Sequence, residues 1–293
     1  MEYHVPVLLH EAINLLDIKH GQIYLDCTLG NGGHTQEILK RGGIVYGIDN
    51  DPHNLEIAID RIKTSGLSTN FHPIKDNFGN LLEIINKNHL TKIAGVLIDL
   101  GLSSNQQKSS QRGFSFNDEL SLDMRLDPQT QTLTAEEIIN TYSYDQLYEI
   151  FTKLAQETQS KPLIIRIISA RQKEPIRSGH KLSQIVRDYY QSRHIHPKTD
   201  PSTKIFMALR IYVNSEFENL KKILLDSLEL TGTQVVIISF HSGEDRIVKN
   251  FIRVNTQSHL IDNLTPKAIT PTLSEIHQNN LSRSAVLRSY KIL

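Results

Sequence analysis

Residues 25–35, LDCTLGNGGHT, carry the clearest indication of the fold. A short apolar run ends at Asp26, a turn with three glycines follows, and helical sequence begins at His34. A strand that leads through a glycine turn into a helix is the first unit of a doubly wound α/β domain. Such a turn directs backbone N–H groups and the positive end of the helix dipole at an anionic group. We therefore expect a cofactor site directly after this strand.

Further along the chain, strand-like and helical segments alternate as they do in a parallel sheet with crossover helices. The predicted strands cover residues 23–27, 44–48, 70–74, 93–98, 235–239 and 285–290. Helical patterns separate the first four strands, and Asp51 with Pro52 has the form of a helix start. The sequence therefore predicts a doubly wound, mostly parallel α/β sheet.

After Asp99 the alternation stops, and a long stretch shows helical patterns without a strand of comparable length. Ser143 with Gln146 matches a capping box within it. Beyond it, apolar residues recur at spacings of three and four over residues 206–228, which predicts one long amphipathic helix. The predicted domain organisation is an α/β domain formed by residues 1–105 and 201–293, with a helical insertion at 106–200.

The composition of the chain limits its partners. Lys plus Arg and Asp plus Glu number 32 each, so no global positive field exists to attract nucleic acid. Residues 106–160 contain 4 basic and 9 acidic residues, whereas residues 161–210 contain 11 and 3, so the second half of the insertion can hold phosphate. Cys27 is the only cysteine, and no stretch approaches the ~20 apolar residues of a membrane span. We expect a cytoplasmic protein without a membrane partner.

Several cofactor classes are compatible with a glycine turn, and the residues in and around the turn reduce their number. Thr35 occupies the place of the third glycine in a dinucleotide fingerprint, which weakens an NAD site. The chain has no G-K-[ST] of a P-loop and no G-x-S-x-G of a hydrolase. S-adenosylmethionine remains, with its carboxylate on the amides of the turn and its ammonium facing Asp26.

Three further residues lie where predicted strands end. Asp49 follows the second strand and is placed to accept hydrogen bonds from ribose hydroxyls, although a solvated loop acid is the alternative. Phe78, after the third strand, is predicted either to stack on adenine or to pack in the core. Asp99 ends the fourth strand and points toward the crevice where ligands of doubly wound sheets bind.

Eight segments spread along the sequence form a distinctive set of motifs. They are HVPVLLHEA from His4, DCTLGNGGHT from Asp26, DLGLSSNQ from Asp99, RGFSF from Arg112, LDMR from Leu122, ALRIYVNSE from Ala208, ISFHSGEDRIVK from Ile238 and SRSAVLR from Ser282. Together they resemble the RsmH (MraW) family of bacterial methyltransferases. The resemblance implies a class I (Rossmann-like) methyltransferase with an inserted all-helical subdomain. It also implies methylation of the exocyclic N4 of a cytosine in the decoding region of 16S ribosomal RNA.

The resemblance also implies which residues contact the cofactor, and the chain differs from the family pattern at three places. The implied S-adenosylmethionine contacts are Gly32, Gly33, His34, Asp49, Phe78, Asp99 and Gln106. The chain departs from the family pattern at Leu154 to Glu157, at Gly243, and at Asn280 with Leu281. Because these departures leave the glycine turn intact, they concern RNA contacts and packing of the insertion before they concern methyl transfer.

The transfer requires an acceptor for the protons of a cytosine amino group. We expect Asp99 or a neighbouring carbonyl to accept from N4, helped by Ser103 or Ser104, although the two serines also fit a simple turn. His241 follows the fifth predicted strand at the same sheet edge and is a candidate for holding the flipped base. A helix start with acids placed for the dipole is the alternative, and it leaves His241 unexplained.

The predicted RNA contacts are basic residues of the insertion and of its surroundings. They are Arg112, Arg125, Arg166, Arg171, Lys173, Arg177, Lys204, Arg210 and Arg246. A solvated charged face is the alternative, and the histidines of the insertion lack the spacing of a metal site. The expected partner is 16S ribosomal RNA within the small ribosomal subunit, and a homodimer is compatible with the sequence. Methylation of another nucleic acid or a small molecule, and a non-catalytic cofactor-binding module, stay open as alternative functions.

Overall fold

The computed structural model describes residues 5–103, 105–106 and 111–293 of the chain. The chain divides into two compact units, the first made of Met1–Ser103 with Phe217–Leu293 and the second of Ser104–Glu216. Within the described residues, none of the helices combines the length and apolarity needed to cross a bilayer. The second unit extends sixteen residues beyond the predicted end of the insertion at residue 200.

The first unit is built on a seven-stranded sheet in the order β3-β2-β1-β4-β5-β7-β6. Its strands are β1 (Ile23–Asp26), β2 (Ile44–Asp49), β3 (Phe71–Lys75), β4 (Ile93–Asp99), β5 (Gln234–Ser239), β6 (Ile261–Asn263) and β7 (Val286–Ile292). Strands β1 to β5 pair in parallel, and β7 is antiparallel to both β5 and β6. The predicted doubly wound, mostly parallel sheet is confirmed. Strand β6 was not predicted, because three residues are too few to show a period.

Helices cover both faces of this sheet. They are α1 (Leu9–Leu16), α2 (Gly33–Lys40), α3 (Pro52–Thr64), α4 (Leu81–Lys87), α10 (Glu216–Ser227) and α11 (Ser242–Gln257). A short helix without a buried residue, α12 (Leu273–Gln278), precedes β7. Apolar residues of α1, α2 and α3 form one buried cluster with the sheet, and those of α4, α10 and α11 form another. Burying both faces fixes the strands, so that the carboxyl ends of the parallel ones form a rigid edge.

The second unit is helical in its described part. Its helices are α5 (Ala135–Thr141), α6 (Tyr144–Lys153), α7 (Ser160–Arg171), α8 (Gly179–Ser192) and α9 (Ser202–Val213). The capping box at the start of α6 is confirmed, since Ser143 and Gln146 each bond to the other's backbone N–H. No strand is present among the described residues of this unit, in agreement with the helical character predicted for it.

The single long helix predicted over residues 206–228 is wrong. Two helices occupy this stretch, because Ser215 has a left-handed φ of 50° that no α-helix contains. The neighbouring Asn214 is buried, and its amide bonds to the backbone of Leu126 and Met124. These tertiary hydrogen bonds stabilise the break. The apolar period continues across it because each helix has its own buried face.

Candidate active site

The glycine turn joins β1 to α2 in left-handed backbone conformations. Gly30 has a φ of 50° and Gly32 a φ of 72°, which favour glycine. Helix α2 starts at Gly33, and no side chain among the described residues caps it. A Cβ at Gly33 would lie 2.3 Å from Cγ of Pro6, so the first turn of the helix packs closely on the segment before α1. The amides at this helix start suit a carboxylate ligand.

Asp49, at the end of β2, holds the glycine turn in place. Its Oδ2 accepts hydrogen bonds from the backbone N–H of Gly30 at 2.8 Å and from Nδ2 of Asn54 at 3.2 Å. Its Oδ1 accepts from the backbone N–H of Asp51 at 2.8 Å. Burial raises the pKa of Asp49 to about 7, against the lowering effect of these donors. An ionised carboxylate accepts about four hydrogen bonds, so capacity for a hydroxyl donor remains beside the turn.

Asp99, at the end of β4, carries a buried oxygen without a donor. Its Oδ1 has no hydrogen-bond partner among the described residues, and its Oδ2 lies 3.6 Å from Nδ1 of His34. Burial raises the pKa of Asp99 well above its usual range, and the charges of Asp26 and Glu244 add to the effect. A buried carboxylate oxygen lacking a donor is costly, which marks it as a place where a ligand N–H can bind.

His34 faces Asp99 with an unprotonated nitrogen. Its Nε2 lies 3.1 Å from the carbonyl oxygen of Val7, and because a carbonyl only accepts, the ring proton is on Nε2. Burial lowers the pKa of His34 to about 4, so the ring is neutral at pH 7. Nδ1 and the Asp99 carboxylate are therefore two acceptors that face each other. A proton or an N–H donor placed between them would be shared by both.

Asp26 completes a group of three acids at the ends of adjacent strands. It is buried, its Oδ2 accepts from Oγ1 of Thr35 at 2.7 Å, and burial raises its pKa to about 6. Asp49, Asp26 and Asp99 end β2, β1 and β4, which are neighbours in the sheet. One buried and two half-buried acids, whose ionised forms are disfavoured, make an environment that a cation would stabilise.

A comparison with known proteins identifies the family. A model described as the MraW methylase family matches residues 1–293. The chain belongs to the MraW methylase family. A protein of Mycoplasma mycoides subsp. mycoides SC named ribosomal RNA small subunit methyltransferase H is 40% identical over 310 residues, covering 98% of both chains. A Carboxydothermus hydrogenoformans protein of the same name is 37% identical and covers 99% of this chain and 98% of its own.

Membership in the MraW family makes this chain a methyltransferase that uses S-adenosylmethionine. The residues at the sheet edge fit that cofactor, since it carries an anionic carboxylate, a ribose and two cationic groups. The start of α2 suits the carboxylate and Asp49 suits the ribose. The three acids suit the ammonium and the sulfonium, and the buried Oδ1 of Asp99 can accept from an N–H. The predicted contacts at Gly32, Gly33, His34, Asp49 and Asp99 thus share one edge of the first unit.

Two other predicted cofactor contacts are placed differently. Phe78 begins a one-turn helix after β3, and its half-buried ring packs against a core cluster. This position is compatible with both roles considered for it. Gln106 is buried and belongs to the second unit, so its role stays a prediction from the family resemblance.

The loop after β4 is linked to Asp49 by a residue that the sequence did not single out. Oγ of Ser103 donates to Oδ1 of Asn54 at 2.9 Å, and Nδ2 of Asn54 in turn donates to Asp49. Asn54 is buried in the first turn of α3, where a polar side chain on an otherwise apolar face is the signal that could have revealed it. Ser104 lies outside the described residues.

His241 is the N-cap of α11. Its Nδ1 accepts from the backbone N–H groups of Gly243 and Glu244, and the Glu244 carboxylate accepts from the backbone N–H of Phe240 and His241. The helix start thus explains His241, a role that the sequence patterns missed because histidine is an uncommon cap. The glycine at position 243, one of the departures from the family pattern, is explained by packing, since a Cβ there would lie 2.7 Å from the ring of Phe217.

The predicted RNA contacts separate into paired and exposed side chains. Arg125 bonds to Asp123 and Arg210 to Glu216, each through two guanidinium nitrogens. Arg171 donates to carbonyls of Ile139 and Tyr142 near the end of α5. The guanidinium of Arg112 lies 5.4 Å from the ring centroid of Phe114 and 3.4 Å from the carbonyl of Leu126. Arg166, Lys173, Arg177 and Arg246 are exposed, and the exposed Lys204 lies 3.8 Å from Oε2 of Glu157.

The acids of the cofactor site predict a pH dependence of S-adenosylmethionine binding. The pKa of Asp26 is raised to about 6 and that of Asp49 to about 7, so both are partly protonated near pH 6. Since a bound cation and ribose hydroxyls favour the ionised carboxylates, we expect affinity to rise from pH 5.5 to 8 and then level off. The slope approaches about tenfold per pH unit for each proton released.

Titration calorimetry in buffers of different ionisation enthalpy would measure both the affinity and the protons released at pH 6.5. S-adenosylhomocysteine, which lacks the sulfonium charge, is the matched control and should show a shallower dependence. Equal affinity for S-adenosylmethionine at pH 5.5 and pH 8 would contradict the assignment of these acids to the cofactor.

Proposed function

We propose that this protein transfers the methyl group of S-adenosylmethionine to the exocyclic N4 of a cytosine in the decoding region of 16S ribosomal RNA. The curated relatives named ribosomal RNA small subunit methyltransferase H support the substrate class, at 37–40% identity over nearly the whole chain. The observation that carries the proposal is the buried Oδ1 of Asp99, which lacks a partner among the described residues at the carboxyl end of β4. The proposal includes the cytoplasm as the location of the reaction and the small ribosomal subunit as the particle that carries the RNA.

Asp99 supplies what a cytosine amino group needs in this reaction. The N4 lone pair is delocalised into the ring, so the nitrogen becomes a good nucleophile only as an acceptor holds its protons. S-adenosylmethionine supplies an electrophilic methyl group, so an N–C bond forms while an S–C bond breaks. Oδ1 of Asp99 accepts an N4 hydrogen bond and then the proton that the nitrogen loses. The raised pKa of Asp99 matches this task, because the free carboxylate in its buried site gains by taking a proton.

His34 and Asn54 position the groups around Asp99. Neutral His34, with its proton directed at Val7, leaves Nδ1 as an acceptor 3.6 Å from Oδ2, so no donor of this ring competes for the carboxylate. Asn54 holds Ser103 beside Asp49, which fixes the loop that follows β4. His241 keeps the start of α11 at the adjoining end of β5. Holding reactants in line at about 3–3.5 Å is itself a large part of such catalysis.

Recognition of the RNA backbone is proposed for cations of the second unit. Arg166, Lys173 and Arg177 are exposed, so their charges are available to phosphates. The intramolecular partners of three other arginines instead support a structural role for Arg125, Arg171 and Arg210. The three exposed cations are therefore the first choice for mutagenesis within this unit.

The proposed function predicts a single class of labelled product. Incubation with tritiated S-adenosylmethionine and small ribosomal subunits from a bacterial strain lacking the family enzyme should label 16S RNA. Nucleoside analysis should then recover N4-methylated cytidine from the decoding region. DNA and free nucleosides serve as controls and should stay unlabelled. Cofactor binding without transfer to any of these substrates, or label at a carbon of the base, would contradict the proposal.

A further inference from the structure

Helix α11 carries a basic face that neither the cofactor site nor the proposed proton transfer uses. Arg246, Lys249 and Arg253 are exposed and recur at spacings of three and four, so they lie along one side of the helix. The opposite side packs in the core through Val248 and Ile252. We call the exposed side, defined by these three cations, the α11 basic face.

The acids of helix α11, Glu244 and Asp245, lie in its first turn, before this face. From Arg246 to Gln257, helix α11 has three basic residues and no acidic one. Asp245, just before it, is already paired with Arg288 of β7 at 2.7 Å and 3.2 Å. Within the described part of the chain, neither Lys249 nor Arg253 forms an ion pair. The charges of Lys249 and Arg253 are therefore available to a partner.

The segment that begins with this face is basic, whereas the first part of the same unit is acidic. Residues 1–103 have eight Lys or Arg and twelve Asp or Glu, whereas residues 246–293 have seven and two. A local concentration of positive charge in an otherwise acidic unit favours a polyanionic partner.

The position of the face relative to the active site identifies the polyanion. Helix α11 begins after β5, at the same carboxyl edge that bears Asp99 and the glycine turn. The cations span about 10 Å along the helix axis, which corresponds to two or three phosphates at about 3.4 Å of axis per nucleotide. Lys249 and Arg253 lie about 10 Å and 16 Å along the axis from the helix start at Ser242, so the phosphates that suit them belong to neighbours of the nucleotide whose base enters the site.

We propose that the α11 basic face binds the RNA backbone next to the target cytosine, so that the first unit itself holds the strand from which the base is taken. This inference rests on the proposed function and assigns substrate binding to Lys249 and Arg253. The backbone contacts are independent of sequence and position the strand, while the site near Asp99 selects the base. Lys249 and Arg253 are thus substrate-binding residues and take no part in proton transfer.

The decisive variant removes two charges from the face, Lys249→Gln with Arg253→Gln. At about 100 mM salt we expect binding of 16S RNA to weaken about tenfold, and its dependence on salt to decrease by about one phosphate contact per residue. The KM for RNA should rise correspondingly, with kcat at saturation and S-adenosylmethionine affinity unchanged. Filter binding across a salt series and steady-state tritium transfer measure these quantities.

Two matched variants make the result specific. Lys63→Gln with Lys87→Gln removes the same charge from exposed residues in the last turns of α3 and α4, which end at the opposite edge of the sheet, and should behave as wild type. Lys249→Arg with Arg253→Lys keeps the charge and should also behave as wild type. If the double-glutamine variant matches the Lys63 and Lys87 control, the proposal is overturned.

Two further outcomes decide whether the α11 basic face contacts RNA or protein, and whether the enzyme transfers methyl groups to RNA at all. A loss of affinity for whole small subunits but not for protein-free 16S RNA would mean that the face contacts a protein, which also overturns the inference. The wild-type enzyme and the Lys63 and Lys87 control report on the proposed function, because their transfer to RNA does not depend on the α11 basic face. Absence of transfer by both would refute the proposed function, whereas transfer by all variants with the wild-type KM for RNA refutes only this inference.

Discussion

Replacing Asp99 by Asn is expected to lower kcat for methyl transfer by about 10²- to 10³-fold. The amide has nearly the same shape as the carboxyl group, yet it cannot take the proton that N4 of the cytosine loses. Its NH2 group would also compete as a donor for Nδ1 of His34, which lies 3.6 Å from Oδ2 of Asp99 in the wild-type protein. Single-turnover transfer at saturating cofactor measures the chemical step directly.

Stability distinguishes loss of catalysis from loss of folding in this variant. The pKa of Asp99 is raised in the folded protein, so the folded state binds a proton more tightly than the unfolded chain does. The ionisation of Asp99 therefore lowers the free energy of unfolding as pH rises from about 4 through the folded-state pKa. Asn removes this loss, so Asp99→Asn should be as stable as wild type at pH 4 and more stable at pH 8.

Thermal unfolding at the two pH values tests this expectation. Asp17→Asn, an exposed substitution just after α1, is the control and should change neither activity nor stability. An Asp99→Asn enzyme with the wild-type kcat would remove Asp99 from proton transfer. One that melts far below wild type at pH 8 would show that the carboxylate supports the fold instead.

Replacing Asp49 by Ala is expected to raise the dissociation constant of S-adenosylmethionine by about 100-fold or more, a loss of about 2.7 kcal/mol. Three donors bond to this carboxylate, from Gly30, Asp51 and Asn54, and each loses its partner. The glycine turn then loses its connection to β2, and the ribose loses its acceptor. Because these effects act on binding, kcat at saturating cofactor should fall by only a few fold.

Ligand comparison makes the Asp49 experiment specific. The ribose and the carboxylate are shared by S-adenosylmethionine and S-adenosylhomocysteine, so Asp49→Ala should weaken both by similar factors in calorimetry. Asp49→Asn, which keeps one acceptor oxygen, should lie between wild type and Asp49→Ala. Unchanged affinity in Asp49→Ala, with thermal stability reduced, would assign Asp49 to the fold of the turn alone.

Much of the fold could be predicted from the sequence, because its signals are local. The alternation of short apolar runs with helical periods predicted six of the seven strands, and Asp51 caps α3 as its pairing with Pro52 indicated. Strand β6 could not be predicted, since its three residues pair only because β7 presents an open edge. The single helix over residues 206–228 was wrong because the buried amide of Asn214, through distant backbone partners, stabilises a break that periodicity does not reveal.

Part of the candidate site could be predicted from the sequence and part could not. The places of Asp26, Asp49 and Asp99 could be read from the sequence, because each lies within one residue of the end of a predicted strand. Their pKa values could not, since burial is the largest cause of each shift and burial depends on the whole packed unit. The capping role of His241 could not be predicted either, because histidine is an uncommon N-cap. The link from Asn54 to Ser103 could not, because the two residues are far apart in sequence.

The sequence by itself determined the class of fold, the position of the glycine turn and the family, because hydrophobic period and short motifs act through neighbours along the chain. Only the tertiary structure decided which acids come together at the sheet edge, which arginines are already paired, and that Oδ1 of Asp99 is left without a donor among the described residues. Those properties depend on distances between segments and on exclusion of water. Neither exists until the sheet and its helices have packed.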